Sequence, residues 1–199
     1  TLGMQVLNAT YDGRDRLLTY GDATFSWRTD GTLASKTTLQ GATAFDHDGL
    51  GALRAVTLPG GARIEYVVDG LGRRVGRKLN GVLTHGWLYR GNQVVAELDS
   101  SGTVAKRFVY AARPNVPDLV LAQGRTYRVV ADHVGSVRRV IDTITGDVVQ
   151  AIDYDPFGQV LSDTAPGFVP MGFGGGLYDN STGLVHMGAR EYDPELGRF

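Results

Sequence analysis

Apolar and polar residues alternate in short runs along this chain. Ala62-Arg63-Ile64-Glu65-Tyr66-Val67-Val68 swaps small or apolar residues with polar ones before turning fully apolar, and residues 79–89 and 93–98 behave similarly. A period of two places successive side chains on opposite faces of a half-buried strand. No window of a dozen residues carries a three-four repeat flanked by caps, so the pattern predicts an all-β chain.

Glycines stand between the runs. Gly13, Gly31, Gly49, Gly70 and Gly91 are spaced by 18, 18, 21 and 21 residues, which is self-similarity in the range of repeat architectures. Around them lie Tyr11-Asp12-Gly13-Arg14, Trp27-Arg28-Thr29-Asp30-Gly31, Phe45-Asp46-His47-Asp48-Gly49 and Tyr66-Val67-Val68-Asp69-Gly70. The Asp-Gly step at 12-13, 30-31, 48-49 and 69-70 predicts hairpin tips there. Arg113-Pro114-Asn115-Val116-Pro117-Asp118 interrupts the rhythm, since proline cannot donate to a ladder. Strands resume at Leu119–Ala122 and Tyr127–Asp132, and Gly135, Gly146 and Gly158 follow at a hairpin-length beat. Residues 164–176 are the least regular stretch.

The closing 24 residues say one thing twice. Tyr178-Asp179 leads into Asn180-Ser181-Thr182-Gly183-Leu184, and Tyr192-Asp193 into Pro194-Glu195-Leu196-Gly197-Arg198-Phe199. Each copy reads as strand end, turn and new strand: Asp accepts from its own downstream backbone, Pro fixes φ and Gly supplies a positive φ.

Composition narrows the classes. Glycine is abundant, 28 residues against 7 prolines, with no three-residue period, so turns rather than collagen account for it. The net charge of −1 gives no footprint for nucleic acid. There is no cysteine, hence no disulfide framework or thiolate metal site. No apolar run reaches the ~20 residues that span a bilayer. Thr1–Val6 lack the order of a signal peptide, and the chain starts and stops in mid-pattern, so it reads as a fragment of a longer protein.

Candidate chemistry is sparse. His47, His85, His133 and His186 lie far apart and have no metal spacing. Asp132-His133-Val134-Gly135-Ser136 holds an acid, a base and a nucleophile type, but without a nucleophile elbow the Asp and Gly read as turn residues. Asp46 with Asp48, and Asp153 with Asp155, lack the further ligands of a calcium loop and read as solvated turns. Gly172-Phe173-Gly174-Gly175-Gly176 has no Lys-Ser/Thr and opens no helix, so it reads as a bend rather than a phosphate cradle. Asn8-Ala9-Thr10 and Asn180-Ser181-Thr182 fit the glycosylation sequon. The 18 aromatics lie at repeat positions without basic interleaving, as packing residues do. No catalytic, cofactor-binding or metal residue is assigned.

The cassette 176–199 closely resembles the terminal signature of the Rhs/YD-repeat core. Asp132-His133-Val134-Gly135-Ser136-Val137, Asp142, Gly146 and Tyr154-Asp155-Pro156-Phe157-Gly158 resemble the stretch before it in that family. The signature residues are Tyr154, Asp155, Pro156, Gly158, Tyr178, Gly183, Tyr192, Asp193, Pro194, Gly197, Arg198 and Phe199. The resemblance implies YD repeats over 1–110, continuing repeats with a Pro/Gly-rich loop over 111–175, and the core signature over 176–199. It implies a spiral of antiparallel hairpins forming part of a hollow shell, a β-cocoon. In bacterial members such a shell sequesters a toxic C-terminal effector of the same polypeptide until a secretion apparatus delivers it. A secreted or cell-surface protein with no cofactor is expected. The family's self-cleaving aspartates would lie downstream of Phe199, so no protease function is carried over. The alternative, through teneurin- or wall-associated-like members, is a surface adhesion module recognising a glycan or a protein partner.

Overall fold

The computed structural model describes residues 8–199, so the reading of Thr1–Val6 lies outside the described residues. Strands β1 (Ala9–Tyr11), β2 (Leu17–Tyr20), β3 (Ala23–Trp27), β4 (Leu33–Thr38), β5 (Gly41–His47) and β6 (Leu53–Thr57) come first. β7 (Arg63–Val68), β8 (Arg74–Leu79), β9 (Val82–Arg90), β10 (Gln93–Leu98) and β11 (Val104–Val109) follow. After the proline-rich interruption come β12 (Leu119–Ala122), β13 (Arg125–Ala131), β14 (Val137–Asp142), β15 (Val148–Tyr154) and β16 (Val160–Asp163). These sixteen strands form one antiparallel sheet in strict sequence order, without a crossover. β17 (Leu177–Tyr178), β18 (Val185–Met187) and β19 (Arg190–Tyr192) form a separate three-stranded sheet. The only helix among the described residues is one 3-10 turn, Phe173–Gly175. The all-β expectation holds.

The tips of the hairpins show why the sequence repeats. Asp48 N donates to Ala52 O and Gly51 N to Asp48 O, both at 3.0 Å. The Asp48 carboxylate accepts from Leu50 N at 2.9 Å and Ala52 N at 3.0 Å. The pairing register slips by one residue beside this turn, between Asp46 and His47. This is a type I turn closed by a left-handed residue and a bulge. The left-handed residue is Gly51, at φ 82°, and not Gly49. Three of the four expected Asp-Gly tips therefore shift: Asp15, Gly51 and Gly72 occupy the left-handed position, two residues after Gly13, Gly49 and Gly70, whereas Gly31, at φ 90°, holds it as expected. Asp-x-x-Gly is the working unit, and it recurs at Asp69, Asp99, Asp132 and Asp155.

The chain divides into two compact units, Thr1–Glu65 with Leu79–Gly81, and Tyr66–Lys78 with Val82–Phe199. In the smaller unit Leu17, Phe25, Phe45, Leu53, Val56 and Ile64 are buried. The Trp27 indole N–H donates to Leu17 O at 2.7 Å, and Asp46 pairs with Arg28 at 3.3 Å and Arg63 at 2.9 Å. In the larger unit the inward positions of β11 to β15 carry Phe108, Val120, Tyr127, Val129, Val137, Val140 and Ile152. The irregular stretch 164–176 lays Phe168, Val169 and Met171 against them, with Phe168 edge-on to Tyr127 at 5.0 Å. Each such aliphatic or aromatic side chain contributes about 1.5–3 kcal/mol when buried.

Candidate functional site

What the larger unit concentrates is charge. β17, β18 and β19 pair through Leu177↔His186, Tyr178↔Val185, Val185↔Tyr192 and His186↔Glu191. This pairing sets His186 and Glu191 side by side and ends β17 directly before Asp179. The turn after β17 is shaped by Asp179, which accepts from Ser181 N at 2.9 Å while Gly183 N donates to its carbonyl at 2.8 Å. The remaining capacity of the carboxylate goes to residues more than a hundred positions earlier. Arg77 Nε donates to Asp179 Oδ2 at 2.8 Å and Tyr66 OH to the same oxygen at 2.9 Å. Arg77 Nη2 reaches Asp179 Oδ1 at 3.3 Å and Ser181 Oγ at 2.8 Å.

A second pair lies beside the first. Arg74, 1% exposed, donates through Nη2 to Glu191 Oε2 at 3.0 Å. Its guanidinium carbon sits 3.5 Å from the centroid of the Tyr66 ring, a cation over a π face. The other Glu191 oxygen meets His186 Nδ1 at 2.7 Å. Tyr89 OH donates to Arg74 O at 2.8 Å, fixing the strand that carries the arginine.

Burial pushes the Asp179 carboxyl up, but the hydrogen bond and charge of Arg77 outweigh it and hold the group below the usual carboxylate range. Glu191 is raised by burial and, more strongly, lowered by Arg74 and His186, so it also stays ionised. Burial pushes the Tyr66 phenol well above its ordinary value, and the Tyr89 phenol up to about 12. Tyr66 thus stays a donor to Asp179. Charge-assisted bonds of this kind are short and strong, and losing one partner of a buried pair costs about 3–5 kcal/mol. The arrangement can clamp one piece of chain to another.

Tyr178 and Gly183 flank the Asp179 turn, and the other signature residues gather around a different part of the same unit. Tyr154 ends β15, Asp155 accepts from Phe157 N and Gln159 N, Pro156 is exposed in the turn, and Gly158 sits against the Phe173 ring. Tyr192 OH donates to Phe157 O at 2.8 Å, and its ring stacks on Phe173 with centroids 5.9 Å apart. Asp193 N donates to Arg198 O at 2.8 Å, Pro194 is buried, and Gly197 lies against Phe157. Phe199 closes on Tyr192 at 5.3 Å and lies beneath Arg190. Tyr178 in β17 packs beside Gly172, and Gly183 takes the left-handed position of its turn.

Asp132, His133 and Ser136 form no constellation. Asp132 accepts from Val134 N and Ser136 N, His133 is exposed, and Ser136 Oγ accepts from Gly174 N. Asp46 lies in β5 while Asp48 caps the turn, and Asp153 and Asp155 divide in the same way. The buried network of Tyr66, Arg74, Arg77, Asp179, His186 and Glu191 was not read from the sequence. Its one local sign is an arginine, Arg74, at an inward strand position.

Residues 3–199 match the family model described as Teneurin YD-shell. The chain is 34% identical to Teneurin-1 of Gallus gallus over 195 residues and 31% identical to Teneurin-4 of Mus musculus over 195 residues. Each match covers 95% of this chain and 7% of the relative. The chain therefore spans a small part of the length of these teneurins. Among solved structures, the crystal structure of TcdB2-TccC3-TEV superposes with a TM-score of 0.57 at 17% identity, covering 96% of this chain and 12% of that one. The Photorhabdus luminescens Tc holotoxin pore gives 0.53 at 15% identity, covering 94% and 13%. At such identities the structural likeness concerns the fold.

Proposed function

Because this chain belongs to the teneurin YD-shell family, we propose that it works as a structural wall segment of a YD shell that encloses a C-terminal effector of its own polypeptide until delivery. One observation carries this reading. The 176–199 cassette is fastened to the wall strands of the larger unit by two buried ion pairs, Arg77–Asp179 and Arg74–Glu191. The cassette, which follows β16 in the chain, is held to β8 in the middle of the strand order, and breaking either pair would leave a buried charge unmatched. The segment itself is a fastening and does no chemistry on a substrate. Export follows from the reading, since an enclosed effector acts outside the cell that makes it.

The second reading is a cell-surface binding module, and identity to teneurins over almost the whole chain favours it. The two part on one experiment with the full-length protein: a denaturing gel with the intact mass of every band, alongside native limited proteolysis. Enclosure gives a C-terminal fragment, released downstream of Phe199, that co-purifies with the shell and resists protease. A single uncut chain whose C-terminal part is digested as fast as a free polypeptide would refute enclosure and leave the binding module.

A further inference from the structure

His186 has one nitrogen that the fastening does not use. Nδ1 meets the ionised Glu191 carboxylate at 2.7 Å. A carboxylate only accepts, so Nδ1 carries the proton and the neutral ring leaves a lone pair on Nε2. Nε2 makes no hydrogen bond among the described residues and is not sealed off, although His186 is only 8% exposed. The residue borders a cleft of about 610 Å3 within the larger unit, in the middle of the range of ligand sites. The Arg74–Glu191 pair that fastens the cassette thus also holds this imidazole in one orientation.

The rest of the lining narrows what could sit there. Arg73 is its only arginine, lysine or carboxylate, and it is matched to Asp69 at 2.7 Å. An anion would find no unmatched cation, and a cation no carboxylate. The amides of Gln93 and Asn115 are spent on Pro114 O and Gly174 O, whereas Asn92 is exposed. Tyr89, Tyr110, Met171, Leu177 and Met187 supply apolar surface. The matching ligand is neutral, donates to a bare ring nitrogen and has an apolar face. A hydroxyl donates to such a nitrogen while accepting from an amide, and a sugar ring carries hydroxyls around a C–H face that suits aromatic and thioether groups. We propose that the cleft holds a neutral sugar unit of a glycan, with one hydroxyl donating to His186 Nε2 and Asn92 engaging another. The inference deepens the binding-module reading and rests on it, not on enclosure.

The test uses the full-length protein on an array of neutral, sialylated and sulfated glycans, comparing the wild type with His186→Asn and Asn92→Ala. Asparagine at 186 keeps an N–H for Glu191 and offers nothing in place of Nε2, while Asn92→Ala touches no ion pair. Retention on at least one neutral glycan is expected, weakened about threefold to tenfold by each variant. No retained glycan, retention confined to the acidic glycans, or neutral retention that either variant leaves unweakened would overturn the sugar site. Binding of the labelled protein to intact cells separates the two ideas. Cell binding undiminished in both variants overturns the sugar site alone, whereas no cell binding overturns the binding module and the site together.

Discussion

Replacing Asp179 by Asn tests the fastening most directly. The side chains of Arg77 and Asp179 are 13% and 4% exposed, so solvent screens the pair little. Asn keeps the shape but removes the charge, and its amide nitrogen would face the donors of Arg77 and Tyr66. Leaving one member of a buried pair alone costs about 3–5 kcal/mol. Hydrogen exchange of residues 177–192, followed by mass spectrometry, reads this as local opening. At about 1.4 kcal/mol per power of ten, exchange there should accelerate roughly a hundred- to several-thousand-fold, with residues 137–154 little changed. The double variant Arg77→Met with Asp179→Leu should recover most of the loss, because packed apolar replacements of buried pairs are often neutral. What remains is the Ser181 N–H without its Asp179 acceptor and a Tyr66 hydroxyl left with Thr182 Oγ1 at 3.4 Å, together about 1–3 kcal/mol. Acceleration of less than about threefold in Asp179→Asn would refute the claim that this pair fastens the cassette.

Acid gives a second handle on the same contact. Asp179 and Glu191 both have folded values below their unfolded ones. Their contribution is therefore complete above the unfolded carboxylate range of about 4 and is lost as pH falls through the lower folded values. Protection of 177–192, corrected for intrinsic exchange, should be flat from about pH 7 to 5 and fall below about 4; flat protection down to pH 2 contradicts this. Gly158→Ala places a methyl group in the Phe173 ring at a φ of 91°, whereas at Gly102, φ 83°, the space is open. The first should cost more than about 3 kcal/mol and the second about 1–3 kcal/mol, and equal shifts in thermal melts would contradict the packing. Tyr192→Phe loses the bond to Phe157 O and should cost about 1 kcal/mol, or about 2–4 °C in melting temperature. A loss beyond about 10 °C would mean that the hydroxyl does more than cap that turn.

Strands and their order were legible because they are local. Residues 62–68, 93–98 and 119–122 alternate or run apolar, and β7, β10 and β12 lie there. The position of the tips was misread by two residues at Gly49 and Gly70. An Asp-Gly step is a good signal for a two-residue hairpin, but here the Asp carboxylate captures N–H groups two and four residues on, which moves the left-handed residue to Gly51 and Gly72. Both glycines were in plain view; the geometry that selects between them was not. The ion network was beyond reach for a different reason. Asp179 meets Arg77 and Tyr66 across 102 and 113 residues, and Glu191 meets Arg74 across 117, and no local periodicity encodes such a pairing. Nor did four scattered histidines hint that His186 would brace Glu191.

The strict sequence order of the sixteen strands has a consequence for how the protein is made. Each strand joins the one just synthesised, so the loop to be closed is a few residues and its entropic cost is small. Pairing can keep pace with a ribosome adding about 5–20 residues per second, with one unpaired edge carried forward at every step. The contacts of Asp179 and Glu191 break that rule, since they reach back more than a hundred residues to β7 and β8. Assembly of this unit therefore has a late step: hairpins can form as their strands emerge, but the fastening waits until residues 179–191 have been made.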